Sequence, residues 1–246
     1  MKVVLSLGRL HPLKGLDLLI EAWAEVKRSS KVLKCESAKV QLETGNLKLE
    51  TGESGSHTNA LMNSRTNELP AWQLVIAGPD EQGTLETLKG ISEKLKLKTA
   101  ETRDLASAAD ADVVFLGPVH GDEKWALMQR VGIFVLPSRS ENFGMVVGEA
   151  LSCGVPVVTT AVGPWASESV KCKMESEKLK EKLPTAKRGL IIVETSAEGI
   201  AEGLRQMMAL SDAERQELGR QGCAWVRREF SWESVARQMV DAYGNA

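Results

Sequence analysis

The chain has 246 residues, 43% of them hydrophobic and 26% charged, with a formal net charge of −2. That length suits one domain with an ample core, and the composition is that of a globular protein in water. Scattered basic residues at this net charge argue against a nucleic-acid surface, and no apolar run reaches the ~18 residues of a membrane span. Val3–Leu7 is too short for the apolar core of a signal peptide. Cys35, Cys153, Cys172 and Cys223 are far apart, and His11, His57 and His120 show no ligand spacing. Neither a disulfide framework nor a zinc site is expected, and a reducing, cytoplasmic compartment fits.

Lys2–Leu7 reads as a first strand, Gly8–Gly15 as the loop after it, and Leu16–Val26 as an amphipathic helix. The loop puts Arg9 and Lys14 at the carboxyl end of the strand; taken by themselves they are surface cations, and His11 is a loop residue rather than a base. Residues 29–70 hold no Phe, Trp or Tyr and many polar residues, which marks an insertion. Within it Lys39–Glu43 and Leu47–Glu50 alternate around Thr44-Gly45-Asn46, the pattern of a small hairpin, and 54–69 reads as an open loop. Trp72–Gly78 is the second strand. Pro79-Asp80-Glu81 is expected to open a helix containing Leu85, Leu88, Ile91 and Leu95. A charged, alanine-rich stretch at 99–110 reads as a second insertion, Asp112–Val119 as a strand and Asp122–Arg130 as a helix.

The stretch 133–159 organises the rest. Ile133–Leu136 is an apolar run stopped by Pro137, as in a strand buried on both faces. Ser138–Phe143 is a polar loop, and Asn142 is the expected N-cap of a helix running to about Cys153, where Gly154 stops it. Val155–Thr159 is the next buried strand. This strand–loop–helix–strand unit sets a helix N-terminus at the carboxyl edge of a parallel sheet, leaving the N–H groups of Phe143, Gly144 and Met145 open to an anion. Gly144 and Gly148 share one helix face and admit a close neighbour. Glu141 and Glu149 are suited to accepting hydroxyl hydrogen bonds. Three glutamate pairs stand eight residues apart, Glu93/Glu101, Glu141/Glu149 and Glu194/Glu202. Spacing therefore selects nothing; only Glu141/Glu149 flank a strand–loop–helix turn.

Downstream, 160–166 is a loop at the same edge, with Trp165 read as a packing residue. Residues 167–188 form a third insertion whose Lys/Glu-rich stretch 171–187 reads as a solvated helix. Arg188–Val193 is a strand. Thr195/Glu198 and Ser211/Glu214 read as capping boxes opening two helices, and Ser231-Trp232 begins a last helix to Tyr243, stopped by Gly244. The expected fold is α/β: a Rossmann-like three-layer domain around a mostly parallel sheet, with the polar insertion as a hairpin.

Pro137-Ser138…Glu141-Asn142-Phe143-Gly144…Glu149-Ala150-Leu151…Gly154-Val155-Pro156-Val157, with Gly8-Arg9 and Lys14-Gly15, resembles the nucleotide-sugar site of retaining glycosyltransferases of the GT-B fold, family 4 or group 1. The resemblance implies the C-terminal, donor-binding domain of such an enzyme, with a nucleotide-diphospho-sugar as co-substrate and neither a metal nor another cofactor. Gly8, Arg9 and Lys14 would hold the diphosphate; as cations, Arg9 and Lys14 would stabilise the charge growing on it as it leaves. Glu141 would sit by the sugar, Glu149 by the ribose, and the backbone of Asn142, Phe143, Gly144 and Met145 by sugar and diphosphate. Arg9, Lys14 and Glu141 would be the catalytic set, the backbone at Pro118 and Val119 would line the base, and Glu168 is a further candidate. Only the donor half is matched, so an N-terminal acceptor domain is expected to be absent from the chain, and the fragment inactive alone. The whole enzyme, cytoplasmic or at a membrane surface, would cross its last helix back onto that domain. An epimerase or phosphorylase half and a non-catalytic sugar-nucleotide-binding subunit remain alternatives. No Gly-x-Ser-x-Gly occurs, and no Gly-x-Gly-x-x-Gly follows the first strand, which counts against acyl transfer and dinucleotide chemistry.

Overall fold

A computed structural model describes residues 2–29, 72–163, 165, 186–187 and 189–244. The hairpin expected at 39–50, the loop at 54–69, Glu168 and the helix at 171–187 lie outside these residues, except that 186–187 form a strand. In chain order the first elements are β1 (Lys2–Leu7), α1 (16–29), β2 (Trp72–Ala77), α2 (Thr84–Lys94), β3 (Thr99–Glu101) and β4 (Val113–Gly117). Then come α3 (Gly121–Met128), β5 (Ile133–Leu136), α4 (Met145–Ser152), β6 (Val157–Thr160), β7 (Ala186–Lys187) and β8 (Leu190–Val193). Three helices close the chain: α5 (Ala197–Ala209), α6 (Asp212–Phe230) and α7 (Trp232–Gly244).

The strands form one sheet in the order β3-β4-β2-β1-β5-β6-β8-β7, parallel throughout except for β7 against β8. Central strands read as unbroken apolar runs because both faces are covered. On one face Val4, Leu74, Ile76, Phe115, Ile133 and Val135 pack under Leu19, Ile20 and Trp23 of α1, Leu88 of α2 and Ile200 and Leu204 of α5. On the other, Leu5, Val75, Val114, Phe134 and Val157 pack under Met128 of α3, Val147, Ala150 and Leu151 of α4, and Trp225 of α6. The Rossmann-like α/β reading holds. The strand order reverses at β1: β2 lies on one side of it and β5 on the other. In open α/β sheets the carboxyl edge beside such a reversal is where ligands bind, and the loops after β1 and β5 meet there.

Among the boundaries that differ from expectation, three have a clear local reason. Helix α2 starts at Thr84, not at Pro79. Asp80 forms a bridge with Leu10, its carboxylate accepts the Leu85 N–H at 3.0 Å, and Gln82 and Gly83 turn at φ 61° and 68°. The stretch 99–110 opens with edge strand β3, and the carbonyl of its Ala108 accepts a 2.7 Å hydrogen bond from the buried Gln73 side chain. Ser196 rather than Thr195 caps α5, accepting from Gly199 N–H at 3.0 Å, because the helix starts one residue later. The box at Ser211 and Glu214 forms as expected. Helix α7 buries no side chain among the described residues, and Trp232 and Tyr243 are exposed.

Candidate functional site

The loop after β1 is held by its neighbours in two halves. Its first half runs beside the loop after β2: Leu10 N–H donates to Pro79 O at 2.8 Å and Glu81 N–H to Leu10 O at 3.0 Å. Arg9 lies on this half, its guanidinium 3.2 and 3.3 Å from the Glu81 carboxylate, with the side chain 65% exposed. The second half is a single 3-10 turn, Pro12–Lys14, capped by His11, whose Nδ1 accepts from Leu13 N–H at 3.2 Å. Gly15 ends the turn at φ 62°, and a Cβ there would lie 2.1 Å from Pro137 O, so only glycine allows the two loops this close.

That approach brings Lys14 to Glu141. Lys14 Nζ lies 2.6 Å from Glu141 Oε2, and the Glu141 side chain is only 13% exposed. Ser138 Oγ donates to the same oxygen at 3.3 Å. The loop after β5 is also pinned through Arg139. Its N–H donates to Leu13 O at 2.8 Å, its Nη1 to Pro12 O at 3.0 Å, and its two Nη groups meet both Asp17 oxygens at 2.6 Å. Burial pushes the Asp17 carboxyl up, but the Arg139 hydrogen bond and charge outweigh this and leave it below its ordinary value. The hydrogen bond to Asp17 in turn raises the Arg139 guanidinium.

Helix α4 begins at Met145, and Asn142 does not cap it. Gly144 occupies the cap position at φ 70° with no side-chain hydrogen bond, a left-handed conformation that glycine adopts without the strain asparagine would carry. Among the described residues no backbone acceptor outside the helix pairs with the N–H groups of Phe143, Gly144 or Met145. The close neighbour admitted by Gly144 and Gly148 is the Trp165 indole, at 3.0 and 3.7 Å from their ideal Cβ positions. Trp165 is buried and packs with Phe143, Trp225 and Phe230 at centroid distances of 5.4–5.9 Å, so it is a packing residue.

One turn into α4, Glu149 Oε1 takes Lys124 Nζ of α3 at 2.7 Å, and that ammonium lies 4.4 Å from the Trp125 ring centroid. Pro118 is exposed at the end of β4 and its carbonyl accepts from Arg103 at 3.0 Å, whereas Val119 is buried in the core. Gly8, Arg9, Lys14, Pro118, Glu141 and the start of α4 therefore share one edge of the sheet, and Glu149 lies a turn inside it. Among the described residues no three of His, Cys, Asp and Glu gather as a metal site would require. Sequence reasoning missed Glu81, Lys124, Arg139 and Asp17, whose partners come from other elements.

A parallel sheet with its strand order reversed beside a helix N-terminus has the plan of a Rossmann-like domain. The chain belongs to the glycosyl transferases group 1 family, whose sequence profile matches residues 58–225. Among curated proteins it is 25% identical over 244 residues to a D-inositol 3-phosphate glycosyltransferase of Salinispora tropica, covering 99% of this chain and 38% of that protein. The chain thus spans about two fifths of that relative's length. Among solved structures it aligns with Anabaena HepE in complex with UDP at a TM-score of 0.61 and 16% identity, covering 99% of this chain and 49% of that one. It also aligns with the C-terminal domain of the group 1 glycosyl transferase LpcC of Francisella tularensis at a TM-score of 0.58 and 18% identity, covering 94% and 87%. At such identities the likeness is one of fold.

Proposed function

We propose that the chain is the donor-binding part of a retaining glycosyltransferase, which moves a sugar from a nucleotide-diphospho-sugar to an acceptor hydroxyl without a metal. The observation that carries this is the Lys14–Glu141 pair, set between two loops at the strand-order reversal and beside the open N-terminus of α4. The family membership and the UDP complex of a protein of the same fold support it.

In this reading the donor diphosphate draws Lys14 away from Glu141. The freed carboxylate then accepts from the sugar hydroxyls, while Gly8 and the N–H groups of Phe143, Gly144 and Met145 meet the phosphates and the Asn142 backbone meets the sugar. Arg9 swings from Glu81 toward the same charge. As the glycosidic bond breaks, negative charge grows on the departing diphosphate, so these cations and N–H groups hold the transition state more tightly than the bound donor. Glu149 accepts from the ribose, and the backbone at Pro118 and Val119 lies along the base. The acceptor is held by the rest of a longer protein, so this chain alone binds nucleotide and transfers no sugar.

Calorimetric titration of the chain with UDP, GDP and ADP, each beside Glu149→Ala, tests the reading. One nucleotide should bind, and the variant should weaken it by about 1.5–3 kcal/mol. Binding that is indifferent to Glu149, or sugar transfer by this chain alone, would overturn it.

A further inference from the structure

We propose that Arg139 is a positioning residue for the sugar-linked phosphate of the donor, acting through Lys14 without touching the ligand. The inference rests on the reading of the site given above. The turn Pro12–Lys14 buries no side chain, so its own packing does not fix where Lys14 stands. The loop after β5 fixes it. Arg139 takes the carbonyls of both residues before Lys14, Leu13 through its N–H and Pro12 through its guanidinium. The rest of the guanidinium grips Asp17, three residues beyond Lys14, at 2.6 Å on both carboxylate oxygens. Lys14 is thereby bracketed on both sides along the chain by one side chain, two residues before Glu141. Only a planar fork does this: one guanidinium donates to a carboxylate in bidentate fashion and still reaches a carbonyl, which a lysine ammonium does not reproduce.

The neighbouring Arg9 shows the alternative. Its half of the loop is held by backbone bonds to the loop after β2 and by the buried Leu10, and its side chain stays 65% exposed beside Glu81. Losing the Arg139 fork leaves Lys14 charged but no longer registered against Glu141. The affinity lost is then that of the phosphate farther from the ribose, while the nucleoside and its first phosphate keep theirs.

The test is calorimetric titration of the 246-residue chain and of Arg139→Met, Asp17→Asn, their double variant and Arg139→Lys with UDP and UMP, GDP and GMP, and ADP and AMP. For the base that binds, the preference for diphosphate over monophosphate should fall about fivefold in each single variant and no further in the double one. Monophosphate affinity should not change. Arg139→Lys should also lower the preference, and it carries the test with Asp17→Asn if Arg139→Met does not fold. A folded Arg139→Met that keeps the parental preference, or a double variant that loses the product of the single effects, overturns the proposal. If the unaltered chain binds no nucleotide, the site reading itself fails and this proposal falls with it, a result distinct from binding with an unchanged preference.

Discussion

Two lysine–glutamate pairs of nearly equal length are built in opposite ways. Lys14–Glu141, at 2.6 Å, joins two loops, whereas Lys124–Glu149, at 2.7 Å, joins helices α3 and α4. The helix pair is placed by the core beneath it, through Met128 on one side and Val147, Ala150 and Leu151 on the other. The loop pair rests on polar and backbone supports instead: the buried Thr160 hydroxyl donates to Ser138 O at 2.6 Å, and the Gly15–Pro137 approach and the Arg139–Asp17 fork hold its two loops together. One end of the site is therefore set by packing and the other by polar contacts that a ligand or a substitution readily alters. Loops made from short strand connections commonly carry binding groups on a rigid frame in this way.

Breaking the loop pair itself should have the largest effect. Lys14→Ala leaves the Glu141 carboxylate with Ser138 alone, and affinity for the nucleoside diphosphate that binds in the titration should drop by about 2–3 kcal/mol in calorimetry. Parental affinity would remove Lys14 from the site. Gly15→Ala attacks the approach of the two loops: with φ at 62° and a Cβ 2.1 Å from Pro137 O, it should cost about 1–3 kcal/mol in urea unfolding. Gly83→Ala, also at positive φ but with no atom within 4 Å of its ideal Cβ, is the control. An equal loss there would mean that the close approach adds nothing.

Lys124→Met tests the rigid end, and should weaken nucleotide binding by about 1 kcal/mol or less, since α4 still presents Glu149. A loss exceeding that of Lys14→Ala would reverse the comparison. The smallest effect concerns pH. Asp17 titrates below its ordinary value of 3.8, so its stabilisation is present above that value and is lost as pH falls through the lower native one. Asp17→Asn should thus be slightly less stable than the parent at neutral pH, and the gap in urea midpoints should close below about pH 4.

The frame was legible where burial imposes a pattern. β1 and β5 occupy the residues read from their apolar runs, and β2 differs only at its end, because a strand covered on both faces needs an unbroken run. The strand–loop–helix turn singles out Glu141 and Glu149 in the sequence, whereas Lys14 reads as a surface cation until the resemblance is drawn. The helix start was not: Asn142 has the composition of a cap, yet the chain turns through Gly144, two residues later. β3 has no apolar run to reveal it, since a Thr-Ala-Glu edge strand exists only through its pairing with β4. Lys124, Arg139 and Glu81 were invisible for a related reason. Their partners lie 25, 122 and 72 residues away, and no local spacing encodes such meetings.

The outermost described strands are Thr99–Glu101, three residues long, and Ala186–Lys187, two residues long and antiparallel. A rim that short offers a neighbouring molecule few backbone donors and acceptors in register, which is how natural sheets avoid recruiting further strands. Crowded together, copies of the described sheet therefore give one another little to zip onto, and fibril growth from these rims is disfavoured.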